Sequence, residues 1–124
     1  MNSRSRIDLD GKWDFFPIID NGVSAHQVDH PQKLHGLAAE QISVPAPWQA
    51  DARFRDHNGT AWYQRSFELS SRTISEQKVM VLCFGAVDYF AEVWVNDIKI
   101  GVHEGGYLPF ELDVTSAVRE GSNA

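Results

Sequence analysis

The sequence predicts an all-β protein, an antiparallel β-sandwich, and three observations carry that expectation. Residues 91–95 alternate strictly, with Ala91, Val93 and Val95 on one side and Glu92 and Trp94 on the other, as in a half-buried strand. Asn96-Asp97 follows, and both residues tolerate the positive φ of a type I′ hairpin turn. Ile98-Lys99-Ile100 then returns as the partner strand, with Gly101 as its stop. Finally, strands and turn signals recur about every dozen residues, the rhythm of a sandwich.

Taken in order, residues 1–7 are a polar lead-in and residues 8–124 one domain. Leu9-Asp10-Gly11 is a turn into a strand that puts Trp13 and Phe15 on one face as core aromatics. Residues 17–40 contain Gly22, Pro31 and Gly36 and no period, so they are mainly irregular connection. Residues 42–44 form a short strand ended by Pro45-Ala46-Pro47-Trp48, whose prolines fix the direction of Trp48. Residues 49–58 are a polar loop, and 62–69 a single alternating strand with Tyr63, Arg65, Phe67 and Leu69 as its more apolar set. Residues 70–78 are a turn rather than a helix. Residues 79–84 are apolar on both faces, as in a fully buried strand, and Gly85 interrupts them. Gly105-Gly106 opens a loop, and residues 107–114 are a last strand in which Pro109 marks an edge or bulge.

Composition narrows function. The chain has 124 residues, enough for one core, with 43% hydrophobic and 23% charged residues. A net charge of −6 excludes the basic stripe that nucleic-acid binding needs, so no nucleic-acid partner is expected. No apolar run approaches the ~20 residues of a membrane helix, so no membrane partner is expected either. The N-terminal MNSRSRIDLDG is not followed by an apolar segment, which reads as cytoplasmic rather than secreted. Cys83 is the only cysteine, which excludes an internal disulfide and a thiolate zinc cluster, and it is expected to pack as a small hydrophobe.

Chemistry-bearing constellations are sparse. Glu111 and Asp113 share a strand face about 6.6 Å apart, close to the spacing of a glycosidase carboxylate pair, but exposed neighbours of this kind are ordinarily solvated charge. His26, His30 and His35 are interrupted by Pro31 and lack a carboxylate, and His103-Glu104 lacks the second histidine of a zinc helix. No metal and no cofactor is expected, and no catalytic residue. Trp48, Trp62, Trp94 and Tyr107 could offer faces to a pyranose, although sandwich cores use such residues routinely.

Five phrases carry a resemblance: LDGKWDF, VPAPW, TAWYQRSFEL, FGAVDYFAEVWVND and GVHEGGYLPFELDVT. They resemble, in register from residue 9 onward, the N-terminal sugar-binding domain of glycoside hydrolase family 2, which includes β-galactosidases, β-glucuronidases and β-mannosidases. The resemblance implies a galactose-binding-domain-like jelly roll, incomplete at its C-terminal end, with immunoglobulin-like and barrel domains downstream and the catalytic glutamates in the barrel. It implies two loops near a sugar, residues 53–60 and 103–107, and from them Asp56, Asn58, His103, Glu104 and Tyr107 as sugar-binding candidates. β-Galactosidase-like members carry an aspartate where this chain has Gly105, so the second loop is more similar to the β-glucuronidase type.

The expected function is therefore a non-catalytic carbohydrate-binding domain that shapes the active-site rim of a parent glycosidase. Its partners are a β-glycoside and the downstream catalytic domain. A free-standing carbohydrate-binding module and an interaction domain without sugar affinity are the alternatives. An incomplete jelly roll would also leave an open sheet edge, and self-association through that edge is expected.

Overall fold

The computed structural model describes residues 6–18, 30–56, 60–76, 79–85, 90–105 and 109–124. It is all-β and antiparallel, and it divides into two compact units, Met1–Arg65 and Ser66–Ala124.

The first unit is a three-stranded sheet in the order β2-β1-β3, from β1 (Gly11–Pro17), β2 (Glu40–Val44) and β3 (Ala61–Gln64). Central β1 pairs Trp13 with Ile42 and Phe15 with Tyr63. Because alternate residues face opposite ways, Phe15 and Phe16 supply separate clusters. Phe15, with no exposed surface, gathers Ile42, Phe54, Trp48 and Tyr63; Phe16 gathers Leu34, Ile18 and Trp62. Burial pushes the Tyr63 phenol up from its ordinary value. The expected pairing of Trp13 and Phe15 on one face holds, and the Trp13 indole N–H donates to the Leu9 carbonyl at 2.7 Å.

One expectation is refined and one changes in this unit. The stretch before β2, read as mainly irregular, contains one 3-10 turn, Pro31–Leu34. His30 Nδ1 accepts the Gln32 amide at its start, and Leu34 is buried. The strand foreseen over residues 62–69 is two strands in different sheets, β3 and β4 (Phe67–Leu69). Arg65 breaks it: its Nη1 donates to the carbonyls of Leu9 and Asp10, both at 2.9 Å, which anchors that side chain to the turn before β1.

The second unit contains β4, helix α1 (Ser71–Glu76), β5 (Val81–Phe84), β6 (Phe90–Val95), β7 (Ile98–Glu104), β8 (Phe110–Asp113) and β9 (Gly121–Asn123). Its pairs are β4-β9, β5-β8 and β6-β7. The β6-β7 hairpin turns at Asn96-Asp97 with φ of 51° and 67°, as the dipeptide predicted. The inward set is Ala91, Val93 and Val95, also as predicted. A register shift beside Val93 and Trp94 leaves Ile100 as the extra residue. Gly101 does not stop the strand. It continues to Glu104, and the missing side chain makes room for Leu112, whose Cδ2 would lie 3.2 Å from a Cβ there.

Four further expectations are corrected. Residues 71–76 are helical because the Ser70 hydroxyl accepts the Thr73 amide at the start and Arg72 pairs with Glu76 one turn on. Residues 79–84 are not buried on both faces: Val79 and Val81 are 63% and 48% exposed, and Cys83 is exposed too. Cys83 and Val81 lie opposite Glu111 and Asp113 on the ladder, and a face that carries two carboxylates stays wet. The opposite face packs, with Met80, Leu82, Ile100 and Val118 around buried Val95, Val114 and Ala117. The strand foreseen over 107–114 is β8, and it is not the last. Residues 121–123 form a further strand, β9, against β4.

The end of the second unit is fixed by two asparagines. The Asn96 amide donates to the Ala124 carbonyl, and Asn96 Oδ1 accepts the Ala124 amide. Asn96 Nδ2 donates to the Ala117 carbonyl and to Asn123 Oδ1. Asn123, only 1% exposed, donates to the carbonyls of Arg119 and Gly121 and accepts the Arg119 amide.

Candidate functional site

Of the five sugar-binding candidates, Asp56, His103 and Glu104 lie among the described residues; Asn58 and Tyr107 lie outside them. Asp56 is exposed in the first unit, after the 3-10 turn Ala52–Phe54. His103 and Glu104 end β7 in the second unit, and as neighbours on a strand they face opposite ways. Glu104 is exposed. His103 is half-buried and stacks on Phe110, ring centroids 3.9 Å apart and planes at 11°. Its Nε2 is buried and has no hydrogen-bond partner among the described residues.

The tryptophans are packing residues. Trp48 lies 5.9 Å from the Phe15 ring, Trp62 packs on the Phe16 cluster, and Trp94 is half-buried on β6. Glu111 and Asp113 lie two residues apart on β8, opposite Cys83 and Val81. The Thr115 hydroxyl and amide both donate to Asp113 Oδ1, and they hold that carboxyl below its ordinary value. Among the described residues no group of histidine, cysteine and carboxylate side chains could hold a metal ion, and no helix is long and apolar enough to cross a membrane.

One recess among the described residues was not foreseen in the sequence. A cleft of about 200 Å³ runs along the outer edge of β2 in the first unit. On one side stand Lys12, Gln41 and Ser43, and on the other the segment from Ala46 to Arg53. Lys12 lies opposite Ser43 in the ladder, and its Nζ donates to Ser43 Oγ at 2.8 Å. Gln41 is tied to the Asp14 carboxylate.

Arg53 closes the other side as a latch. Its Nε and Nη2 grip the two Asp51 oxygens at 3.1 and 2.8 Å, Nη1 reaches Glu40 at 2.9 Å, and Nη2 also donates to the Gln41 carbonyl at 2.6 Å. The guanidinium carbon sits 4.9 Å from the centre of the Phe54 ring, which itself packs on Phe15. Hydrogen bonds from the Arg53 side chain, then its backbone amide, lower the Asp51 carboxyl to about 2. Asp51 in turn pushes the Arg53 guanidinium up.

Acid should loosen this latch. The Asp51 pKa is depressed on folding, so its stabilising contribution is complete above the unfolded value of about 3.9 and disappears as pH falls through about 2. Urea midpoints compared at pH 5, 3 and 2 should show part of the acid sensitivity of the chain missing in Asp51→Asn. Equal sensitivity in both proteins would contradict the assignment.

Residues 7–124 match the family described as glycosyl hydrolases family 2, sugar binding domain. The chain is 33% identical to a β-glucuronidase of Canis lupus familiaris and 36% identical to one of Paenibacillus borealis, covering 96% and 91% of this chain respectively and 19% of each relative. It is also similar to the solved structure of Bifidobacterium dentium β-glucuronidase complexed with coumarin-3-O-glucuronide, with a TM-score of 0.74 and 38% identity over 93% of this chain and 18% of that one. A β-galacturonidase from Eisenbergiella tayi bound to galacturonate superposes with a TM-score of 0.66 at 25% identity, covering 91% of this chain and 16% of that one. The chain thus spans about a fifth of the length of the curated relatives it matches. With motifs, strand pattern and matched span in agreement, the chain belongs to the sugar-binding domain family of family 2 glycosyl hydrolases.

Proposed function

We propose that the chain is the non-catalytic, carbohydrate-binding domain of a family 2 glycosidase of the β-glucuronidase type, and that it contributes to the rim of that enzyme's active site. The observation that carries this is the match over residues 7–124, continuous with β-glucuronidases whose remaining four-fifths lie outside the matched segment. The sugar it helps to hold is a β-linked uronide, and the candidate contacts are Asp56 and Asn58 in the first unit and, taken separately, His103, Glu104 and Tyr107 in the second. The His103 Nε2, buried and without a hydrogen-bond partner among the described residues, supports its place among them, since such an atom gains from a ligand hydroxyl.

Two measurements test the proposal together. Purified chain is expected to leave p-nitrophenyl β-D-glucuronide intact; turnover that is lost in Glu111→Gln would overturn the non-catalytic assignment. Titration with methyl β-D-glucuronide, followed by amide chemical shifts, should perturb Asp56, His103 and Glu104. Saturating uronide without any shift there would overturn the site.

A further inference from the structure

We propose that the cleft along the outer edge of β2 is a separate subsite for one neutral hexopyranose ring, held through adjacent hydroxyls by Lys12, Ser43 and Asp51. The proposal rests on the carbohydrate-binding role above, but it concerns different residues.

Size comes first. At about 200 Å³ the cleft has room for six or seven waters at ~30 Å³ each, and it falls below the ~300–1,000 Å³ of sites for drug-sized ligands. The recess itself has room for one ring.

The hydrogen-bonding capacity left over in the cleft is that of a polyol site. Asp51 has about four acceptor positions, and Arg53 N, Nε and Nη2 occupy three, which leaves one open on a carboxylate already fixed in place. Arg53 has five N–H donors, and the bonds to Asp51, Glu40 and the Gln41 carbonyl engage four of them. Lys12 gives one of its three donors to Ser43, whose own hydroxyl proton remains to be given. A charged acceptor, an ammonium and a hydroxyl therefore border one recess, and Ala46, Pro47 and Ala50 add a small apolar wall for ring C–H groups.

Charge selects the class. Lys12, Arg53 and Asp51 line the cleft, and behind them Glu40 is bonded to Arg53 and Asp14 to Gln41, so the lining and its direct partners carry three carboxylates to two cations. An additional carboxylate on the ligand would be repelled, whereas a neutral ring would not.

The test is an amide chemical-shift titration of the 124-residue chain with methyl β-D-glucopyranoside and, separately, methyl β-D-glucuronide. The glucoside should shift residues 12, 43, 46, 50 and 51, and more strongly than the glucuronide does. Ser43→Ala and Lys12→Gln, both at exposed positions and outside the Arg53 latch, should each weaken glucoside binding about three- to tenfold. Glucuronide preferred in the cleft would overturn the neutral class. Glucoside at saturation without shifts along β2 would overturn the subsite, even where uronide shifts at Asp56, His103 and Glu104 uphold the function proposed above. If either variant fails to fold, the shift map of the unaltered chain decides alone.

Discussion

Replacing Phe15 by alanine is expected to cost about 3–5 kcal/mol of folding stability, the range for removing a large aromatic from a packed core. Phe15 has no exposed surface, and its ring lies 4.6 Å from Phe54, 5.0 Å from Tyr63 and 5.9 Å from Trp48. Such contacts contribute about 0.5–1.5 kcal/mol per aromatic pair beyond the area they bury. With domains stable by only about 5–15 kcal/mol, this one change could unfold the first unit. Phe15→Leu keeps most of the volume and should cost distinctly less. Urea unfolding followed by tryptophan fluorescence compares the two. A loss below about 1 kcal/mol for the alanine variant would mean that the cluster collapses into the vacated space.

The other large effect is expected at Asn123. Truncation to alanine removes four hydrogen bonds and leaves the Arg119 amide and carbonyl, the Gly121 carbonyl and one Asn96 donor without their partner. At about 1–3 kcal/mol for each buried group left unsatisfied, offset where water can enter, a loss of about 2–4 kcal/mol is expected. Asn123→Asp discriminates shape from bonding. It keeps the size but turns an acceptor toward two carbonyls, so it should be no better tolerated than alanine at neutral pH. Thermal unfolding of both variants checks this; an aspartate variant as stable as the parent would show that the donors are dispensable.

Much of the hairpin was legible because its determinants are local. Alternation over residues 91–95 and two residues tolerant of positive φ specify pairing between neighbours, and the structure follows them closely. What escaped was decided at long range. Residues 62–69 alternate perfectly well, yet they split between two sheets because Arg65 bonds to carbonyls at Leu9 and Asp10. Cys83 sits in an apolar run, yet it is exposed because its ladder neighbour is Glu111. Gly101 resembles a stop signal, but Leu112 is the reason for it. The β2 cleft was invisible for the same cause. Lys12, Ser43 and Asp51 form no motif in sequence, and only the ladder and the Arg53 latch bring them to one recess.

Asn96 links events that belong to different stages of folding. Its backbone closes a two-residue turn, an encounter between neighbours that is complete within microseconds in isolated hairpins. Its side chain and amide then hold Ala117, Asn123 and Ala124, reached only after the intervening strands have been placed. The β4-β9 ladder spans nearly the whole second unit and carries a larger loop-closure entropy than the turn does. A hairpin tip that is ordered early thus presents a preformed dock, so β9 has one place to settle rather than a search over the sheet. If β9 docks after the hairpin has formed, damage to it is expected mainly to hasten unfolding while leaving the rate of folding nearly untouched.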